Sequence, residues 1–241
     1  TAYEIRLSLV GSEMCIRDRC RLDGVDPRLS AAGYVVVPGA LHPAEIEGIL
    51  RQLPELDDAA GTRRLLEEPW CRELAAHANV VSPVHDALGT KARPVRALLF
   101  DKAPNANWSL GWHQDLKIAV ARRVDVPGFG AWSVKEGVPH CRPTRQILEA
   151  CLAVRIHLDC SHRENGPLRV LAGTHRDGIR VAPEPWELDR EEVVLADAGA
   201  IVLMRPLLFH ASSKATIPTH RRVIHIEFSS ARLPGGLDWA Y

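Results

Sequence analysis

The 241-residue sequence predicts an α+β chain, helical at first and mainly β afterwards, on three observations. Apolar residues recur at helical spacing between about His42 and Ala87, two-residue alternation takes over beyond Pro94, and Gly, Pro and Asn punctuate this later part at short intervals. Helices first and many strands afterwards point to a chain whose second part is a β-sandwich or barrel.

The elements follow in order. Gly33-Tyr34-Val35-Val36-Val37-Pro38-Gly39 reads as a short strand closed by Pro and Gly. His42-Pro43 then opens a helix carrying Ile46, Ile49, Leu50 and Leu53 on one face, and a second helical stretch runs from about Trp70 through Ala87. Arg96 to Lys102 is a strand. So is Cys151 to Asp159, with Leu152, Val154, Ile156 and Leu158 on one face and Ala153, Arg155, His157 and Asp159 on the other. Glu164-Asn165-Gly166 reads as a hairpin turn into a strand over Leu168 to Leu171. Val193 to Ala196, Ala200 to Met204 with Leu207 to His210, and Arg222 to Ser229 complete the strands. Val124 to Gly137 reads as a long loop suited to act as a lid.

Residues 29–241 form the expected domain, and residues 1–28 stand apart. Tyr3 to Asp18 lacks the basic start, apolar centre and small-residue cleavage site of a signal peptide. It resembles translated read-through of a sequencing adapter, and deleting residues 1–20 should leave folding and activity intact. Lys+Arg and Asp+Glu both number 30, with no basic stretch interleaved with aromatics, which argues against a nucleic-acid groove. The longest apolar runs fall far short of the ~20 residues of a membrane-spanning helix. Six cysteines without a C-x-x-C pair fit a reducing cytoplasm. Small molecules are the expected partners, and the chain is expected to be a monomer or homodimer.

His113-Gln114-Asp115 is the most informative tripeptide. In an extended segment residues i and i+2 project to the same side and can grip one ion together. His210, 95 positions after Asp115 (210 minus 115), ends an apolar run from which an opposite strand could supply a third ligand. Two His and one carboxylate leave coordination sites open, an arrangement suited to ferrous iron with a bidentate cosubstrate and O2. Arg221 and Arg222 follow His210 at the head of the next strand, where an Arg can form a bidentate pair with the distal carboxylate of 2-oxoglutarate. Alternation separates them: Arg222, Ile224, Ile226 and Phe228 share a face that helices should cover, leaving Arg221 with Val223, His225 and Glu227 toward the polar cavity.

Taken together, Gly33 to Gly39, Trp112-His113-Gln114-Asp115, Glu164-Asn165-Gly166-Pro167-Leu168 with Gly173-Thr174-His175, and His210-Ala211-Ser212 followed by Arg221 resemble the phytanoyl-CoA dioxygenase family of iron- and 2-oxoglutarate-dependent oxygenases. The resemblance runs from about Leu29 to the carboxyl end. It implies a double-stranded β-helix, or jelly roll, with amino-terminal helices packed on its larger sheet. It also implies His113, Asp115 and His210 as iron ligands, with Arg221, Ser212, Trp132 and Lys102 around 2-oxoglutarate.

The implied reaction consumes 2-oxoglutarate and O2, hydroxylates a C–H bond and releases succinate and CO2, with ascorbate as a candidate reductant. Asp115 favours hydroxylation over halogenation, because halogenating relatives lack that carboxylate. Arg155, His157 and His225 are candidate substrate contacts, and the polar face carrying Arg155, His157 and Asp159 points to a small hydrophilic substrate rather than an acyl chain. His140 with Cys141 is rejected as a nucleophile pair, since adjacency does not place a base within reach. Two rivals use the same ligands: a cupin-like metal-dependent lyase or hydrolase, which leaves Arg221 and Ser212 without a role, and a non-catalytic metal-binding or sensing jelly roll.

Overall fold

The computed structural model describes residues 26–54 and 61–241. The adapter-like segment lies outside the described residues. The first described element is α1 (Pro27–Ala32): the Asp26 carboxylate caps it by accepting from the Arg28 backbone N–H, Pro27 occupies its first turn, and Gly33 closes it at φ 85. β1 (Tyr34–Val37) and α2 (Pro43–Leu50) follow as the sequence predicts.

After β2 (Gly61–Thr62), the single expected helix over Trp70 to Ala87 is two, α3 (Pro69–Ala76) and α4 (Ala78–Leu88). His77 breaks it. Its backbone is extended, its ring accepts from the Asn79 N–H to cap α4, and its Nε2 lies 3.0 Å from Glu45 of α2.

The remaining elements are β3 (Arg93–Lys102), β4 (Leu110–His113), β5 (Ile118–Ala119), β6 (Gly130–Lys135), β7 (Val138–Arg142), α5 (Arg145–Glu149), β8 (Cys151–His157), β9 (Leu168–Leu171), β10 (Glu191–Val194), β11 (Ile201–Met204), β12 (His210–Ser212) and β13 (Arg221–Ser229). They form a six-stranded sheet in the order β1-β11-β8-β13-β3-β2 and a four-stranded sheet in the order β10-β9-β12-β4. A small β5-β7-β6 sheet stands beside them. The two larger sheets face each other as a jelly roll, the double-stranded β-helix of the sequence expectation. Ala153, Val202 and Met204 of one meet Leu168, Val170 and Val194 of the other in a buried cluster.

The outer face of the large sheet carries Leu152, Val154, Ile156, Ile201, Leu203, Ile224, Ile226 and Phe228, all buried against Ile46, Ile49, Cys71, Leu74, Val80 and Val84 of the helices. Each such side chain contributes roughly 1.5–3 kcal/mol by leaving water, and this layer is the main source of the fold's stability.

Several local expectations change. Val124 to Gly137 is not a bare loop, because β6 lies within it and pairs with β7 through Ser133↔His140 to Lys135↔Val138. Leu207 to Phe209 is a buried turn, so His210 opens a strand instead of ending one. Asn165 and Gly166 do not join a hairpin: β8 and β9 belong to different sheets, and a 3-10 turn over Arg163–Asn165 carries the crossover. The strand expected over Val193 to Ala196 is displaced toward the amino terminus as β10. β8 ends at His157, and Asp159 leaves the interior face to pair with Arg222.

Candidate active site

His113 closes β4 and His210 opens β12, and the antiparallel register sets the two residues directly opposite each other, with ring centroids 4.1 Å apart. Asp115 lies two residues beyond His113, anchored by its N–H donating to the Pro206 carbonyl at 2.8 Å. Its carboxylate stands 3.8 Å from His113 Nε2 and 3.5 Å from His210 Nε2. One ligand atom from each of the three residues falls within 4.8 Å of the others, close enough to share one ion.

The tautomers suit that task. His113 Nδ1 lies 2.8 Å from the Gly111 carbonyl and His210 Nδ1 2.9 Å from the Leu208 carbonyl. A carbonyl only accepts, so each Nδ1 carries the proton and each Nε2 turns its lone pair to the shared point. Burial holds His210 down at about 4, so it is neutral and free to ligate at neutral pH. For Asp115 burial acts to raise the carboxyl, but the fields of His210, His225, His113 and Arg96 outweigh it and bring it to about 2.

Gln114 was missed by the sequence reading and locks the tripeptide. Its amide nitrogen donates to the carbonyls of Gly178 (2.8 Å) and Leu207 (2.7 Å), while its oxygen accepts from the Arg180 N–H at 2.8 Å. The available signal was alternation: a residue between two ligands points the other way, into protein, and a buried amide must fill its bonds there.

The large sheet's inner face supplies the cationic end. Arg221 opens β13 opposite Lys102, the last residue of β3, and both are fully buried. Lys102 reaches across to the four-stranded sheet, donating to Ser212 Oγ at 3.0 Å, to the Gly166 carbonyl at 3.3 Å and to the Ser213 carbonyl. Its ammonium lies 4.5 Å from the centre of the Trp108 ring. Gly166 is required here: its φ is +68, and a Cβ would fall 2.6 Å from Lys102 Nζ.

The three guanidinium nitrogens of Arg221 have no partner among the described residues. Of the nearby carboxylates, Asp159 pairs with Arg222 and Asp101 bonds His220 through Oδ2, each at 2.8 Å, while Asp101 Oδ1 has no partner among the described residues. Burial, then Arg155, lowers Arg221 to about 10, still a cation at neutral pH. An arginine held this way fits a bidentate carboxylate, and the His-Asp-His set fits ferrous iron.

Other expected residues divide. Arg155, His157 and His225 lie on the inner face, the first two buried on β8 and the last on β13. Neither ring nitrogen of His157 has a partner among the described residues, and burial followed by Arg155 and Arg221 holds its pKa down at about 3. Trp132 sits on β6, packed on the cluster around Ile118 and Leu237 with Arg123 stacked over it at 5.4 Å. That cluster also takes in Val95 of β3, Leu148 of α5 and Cys151 of β8. His175 lies in a 3-10 turn. His140 and Cys141 are buried without forming a nucleophile pair, and burial raises the thiol to about 11.

A jelly roll with a metal-competent His-Asp-His set beside a buried, unpartnered arginine defines the architecture of a non-haem iron oxygenase. The phytanoyl-CoA dioxygenase (PhyH) profile matches residues 29–223. The chain therefore belongs to the phytanoyl-CoA dioxygenase family, and is a 2-oxoglutarate-dependent dioxygenase whose cofactors are iron, 2-oxoglutarate and O2.

No curated protein matches the chain. Among solved structures it is similar to HygX from Streptomyces hygroscopicus with iron bound (TM-score 0.60, 15% identity, 83% of each chain covered). It is also similar to EctD from S. alaskensis with bound Fe (0.65, 17%, 84% of this chain and 74% of that one). A third is the non-heme monooxygenase ThoJ in complex with Ni (0.59, 21%, 84% and 75%). At these identities the likeness speaks for the fold.

Proposed function

We propose that this protein hydroxylates a small polar organic substrate, with iron on His113, Asp115 and His210 and the distal carboxylate of 2-oxoglutarate on Arg221, releasing succinate and CO2. One observation carries the reading: a guanidinium whose three nitrogens have no partner among the described residues lies buried in the same barrel as the metal-competent triad. Leaving an arginine in that condition is costly unless an anion completes it.

The bound metal would supply the oxidising chemistry by activating O2 together with the cosubstrate. The chain's own residues bind, orient and exclude water. The backbone carbonyls of Gly111 and Leu208 hold both imidazoles in the ligating tautomer. Gln114 fixes the peptide between His113 and Asp115. Lys102 and Ser212, bonded to each other across the barrel, stand beside Arg221 and would steady the same carboxylate. The Asp115 carboxylate occupies the position that a halide would need, which favours hydroxylation.

The polar character of the substrate rests on Arg155, His157 and His225, charged or hydrogen-bonding groups on the inner face. Some structural neighbours were crystallised with polar ligands, HygX with hygromycin B and EctD with 5-hydroxyectoine, and such compounds set the type. Among the described residues no helix is long and apolar enough to cross a membrane. The described cysteines, Cys71, Cys141, Cys151 and Cys160, are free thiols, in keeping with a cytoplasmic enzyme.

The test is anaerobic loading with ferrous iron and 2-oxoglutarate, then exposure to O2 and measurement of slow succinate release without substrate. The expected result is succinate from the wild type and none from His113→Ala. Metal binding without 2-oxoglutarate binding would turn the reading to a cupin-like lyase or hydrolase or a sensing jelly roll.

A further inference from the structure

The barrel interior holds more cationic groups than the cosubstrate can use. Arg221, Lys102 and Arg155 are all buried, and none of the three has a carboxylate bonded to it among the described residues. Within the proposed function, 2-oxoglutarate brings two carboxylates: one takes Arg221, beside Lys102, and the other goes to the metal. Arg155 is left over.

Its placement is specific. Arg155 sits on β8, a central strand of the large sheet, between Val202 of β11 and His225 of β13. Its guanidinium lies over the Phe100 ring at 5.6 Å from the centre, and Nη1 is 3.3 Å from His225 Nδ1. A guanidinium only donates, so in this contact Nδ1 accepts and the ring proton sits on Nε2, which faces Glu227 Oε1 at 3.5 Å. Phe100 also packs edge-on against His225, with centroids 5.8 Å apart.

These two neighbours, Phe100 and His225, fix the guanidinium in one orientation, while its Nε is buried with no partner among the described residues. Burial lowers the group and Asp115 acts to raise it, leaving it at about 10, a cation at neutral pH within electrostatic reach of the carboxylate of the metal triad. The Arg96–Glu227 pair at 3.3 Å balances itself, so Glu227 is not free to neutralise Arg155.

We propose that Arg155, oriented by His225 and Phe100, is the binding site for an acid group of the primary substrate, which makes that substrate a small carboxylic acid oxidised near its carboxylate. This rests on Arg221 serving the cosubstrate, and it deepens the proposed function by naming a substrate class. A neutral amide or ester of the same acid would leave the buried guanidinium uncompensated and bind poorly. A buried, bidentate-capable Arg suits a planar carboxylate better than Lys would.

The test uses iron-loaded protein with 2-oxoglutarate under anaerobic conditions, titrated calorimetrically with propionate, hexanoate and benzoate and with the primary amide of each. Wild type is expected to bind at least one acid ten-fold or more tightly than its amide. Arg155→Gln should abolish that preference while changing 2-oxoglutarate affinity less than three-fold, and Arg155→Lys should keep part of it. If Arg155→Gln does not fold, the wild-type preference and its partial retention in Arg155→Lys decide.

Three results overturn the proposal: no acid-over-amide preference in the wild type, a preference undiminished in Arg155→Gln, or a ten-fold or greater loss of 2-oxoglutarate affinity in that variant. The last would assign Arg155 to the cosubstrate. Failure of the wild type to bind 2-oxoglutarate at all would instead count against the proposed function.

Discussion

The two faces of the large sheet are built from the same strands and do opposite work. Along β13, Ile224, Ile226 and Phe228 lie under the helices, while Arg221, Val223 and His225 alternate with them toward the barrel interior. β8 repeats the division, with Leu152, Val154 and Ile156 outward and Arg155 and His157 inward. The outer face gains stability from burial. The inner face gives some up, since it buries the Arg221 guanidinium and the His157 imidazole with no partner among the described residues. Stability and ligand binding should therefore separate cleanly by residue parity.

The largest expected effect that would break this comparison is in binding. Arg221→Met should weaken 2-oxoglutarate about 100-fold, a loss of ~2.7 kcal/mol of binding, while the ligand-free melting temperature stays level or rises because an unpaired buried charge is gone. Calorimetry and thermal melts on one preparation check both halves. A melting temperature that falls sharply would show that the arginine is structural.

On the other face, Ile226→Ala should cost about 2–4 kcal/mol of folding stability by leaving a cavity under the helices, read from denaturant unfolding. The 2-oxoglutarate affinity of its folded fraction should stay within two-fold. Gly166→Ala should weaken 2-oxoglutarate about ten-fold, because the added Cβ runs into the Ser213 carbonyl and Lys102 Nζ, the acceptor and donor of the Lys102 anchor, and strains a left-handed backbone. Gly39→Ala, at φ +61 but with nothing within 4 Å of its Cβ, carries the backbone strain without the clash and should leave affinity unchanged.

The smallest effect is in protons. Lys102 is held down at about 7, from 10.5, by burial and by Arg221, Arg155 and Arg169. An anion bound beside it favours its charged form, so 2-oxoglutarate binding at about pH 8 should take up part of a proton and weaken as pH rises above 7. Calorimetry in buffers of different ionisation enthalpy measures that uptake. Without ligand the sign reverses for folding. The unfolded chain holds the Lys102 proton up to 10.5, so the ligand-free fold should gain stability between pH 7 and 10.5.

The parity of β8 and β13 was legible because one face is buried in apolar packing and the other is not, a contrast that writes itself as alternation. It placed Arg221 inside and Arg222 outside, where Arg222 is indeed paired with Asp159. β6 was not legible. Gly130 to Lys135 has no buried residue, so no face of it alternates, and it read as loop.

The break at His77 was hidden for a different reason. Apolar spacing continues through Trp70, Leu74, Val80 and Val84, and what interrupts the helix is the ring of His77 bonding to Glu45, a contact remote in sequence. Asn165-Gly166 carried a true left-handed glycine, φ 68, but a turn signal states the local conformation and not whether the strands it joins share a sheet. Triad spacing could nominate His210. Only the β4–β12 register shows it directly opposite His113.

The most direct measurement sets Arg221 against its neighbour. 2-Oxoglutarate is titrated calorimetrically, without O2, into iron-loaded Arg221→Met and Arg222→Met. The account predicts about a 100-fold loss in the first and less than a three-fold change in the second, whose Asp159 pair lies at the strand edge. Equal losses, or a greater loss in Arg222→Met, would contradict it.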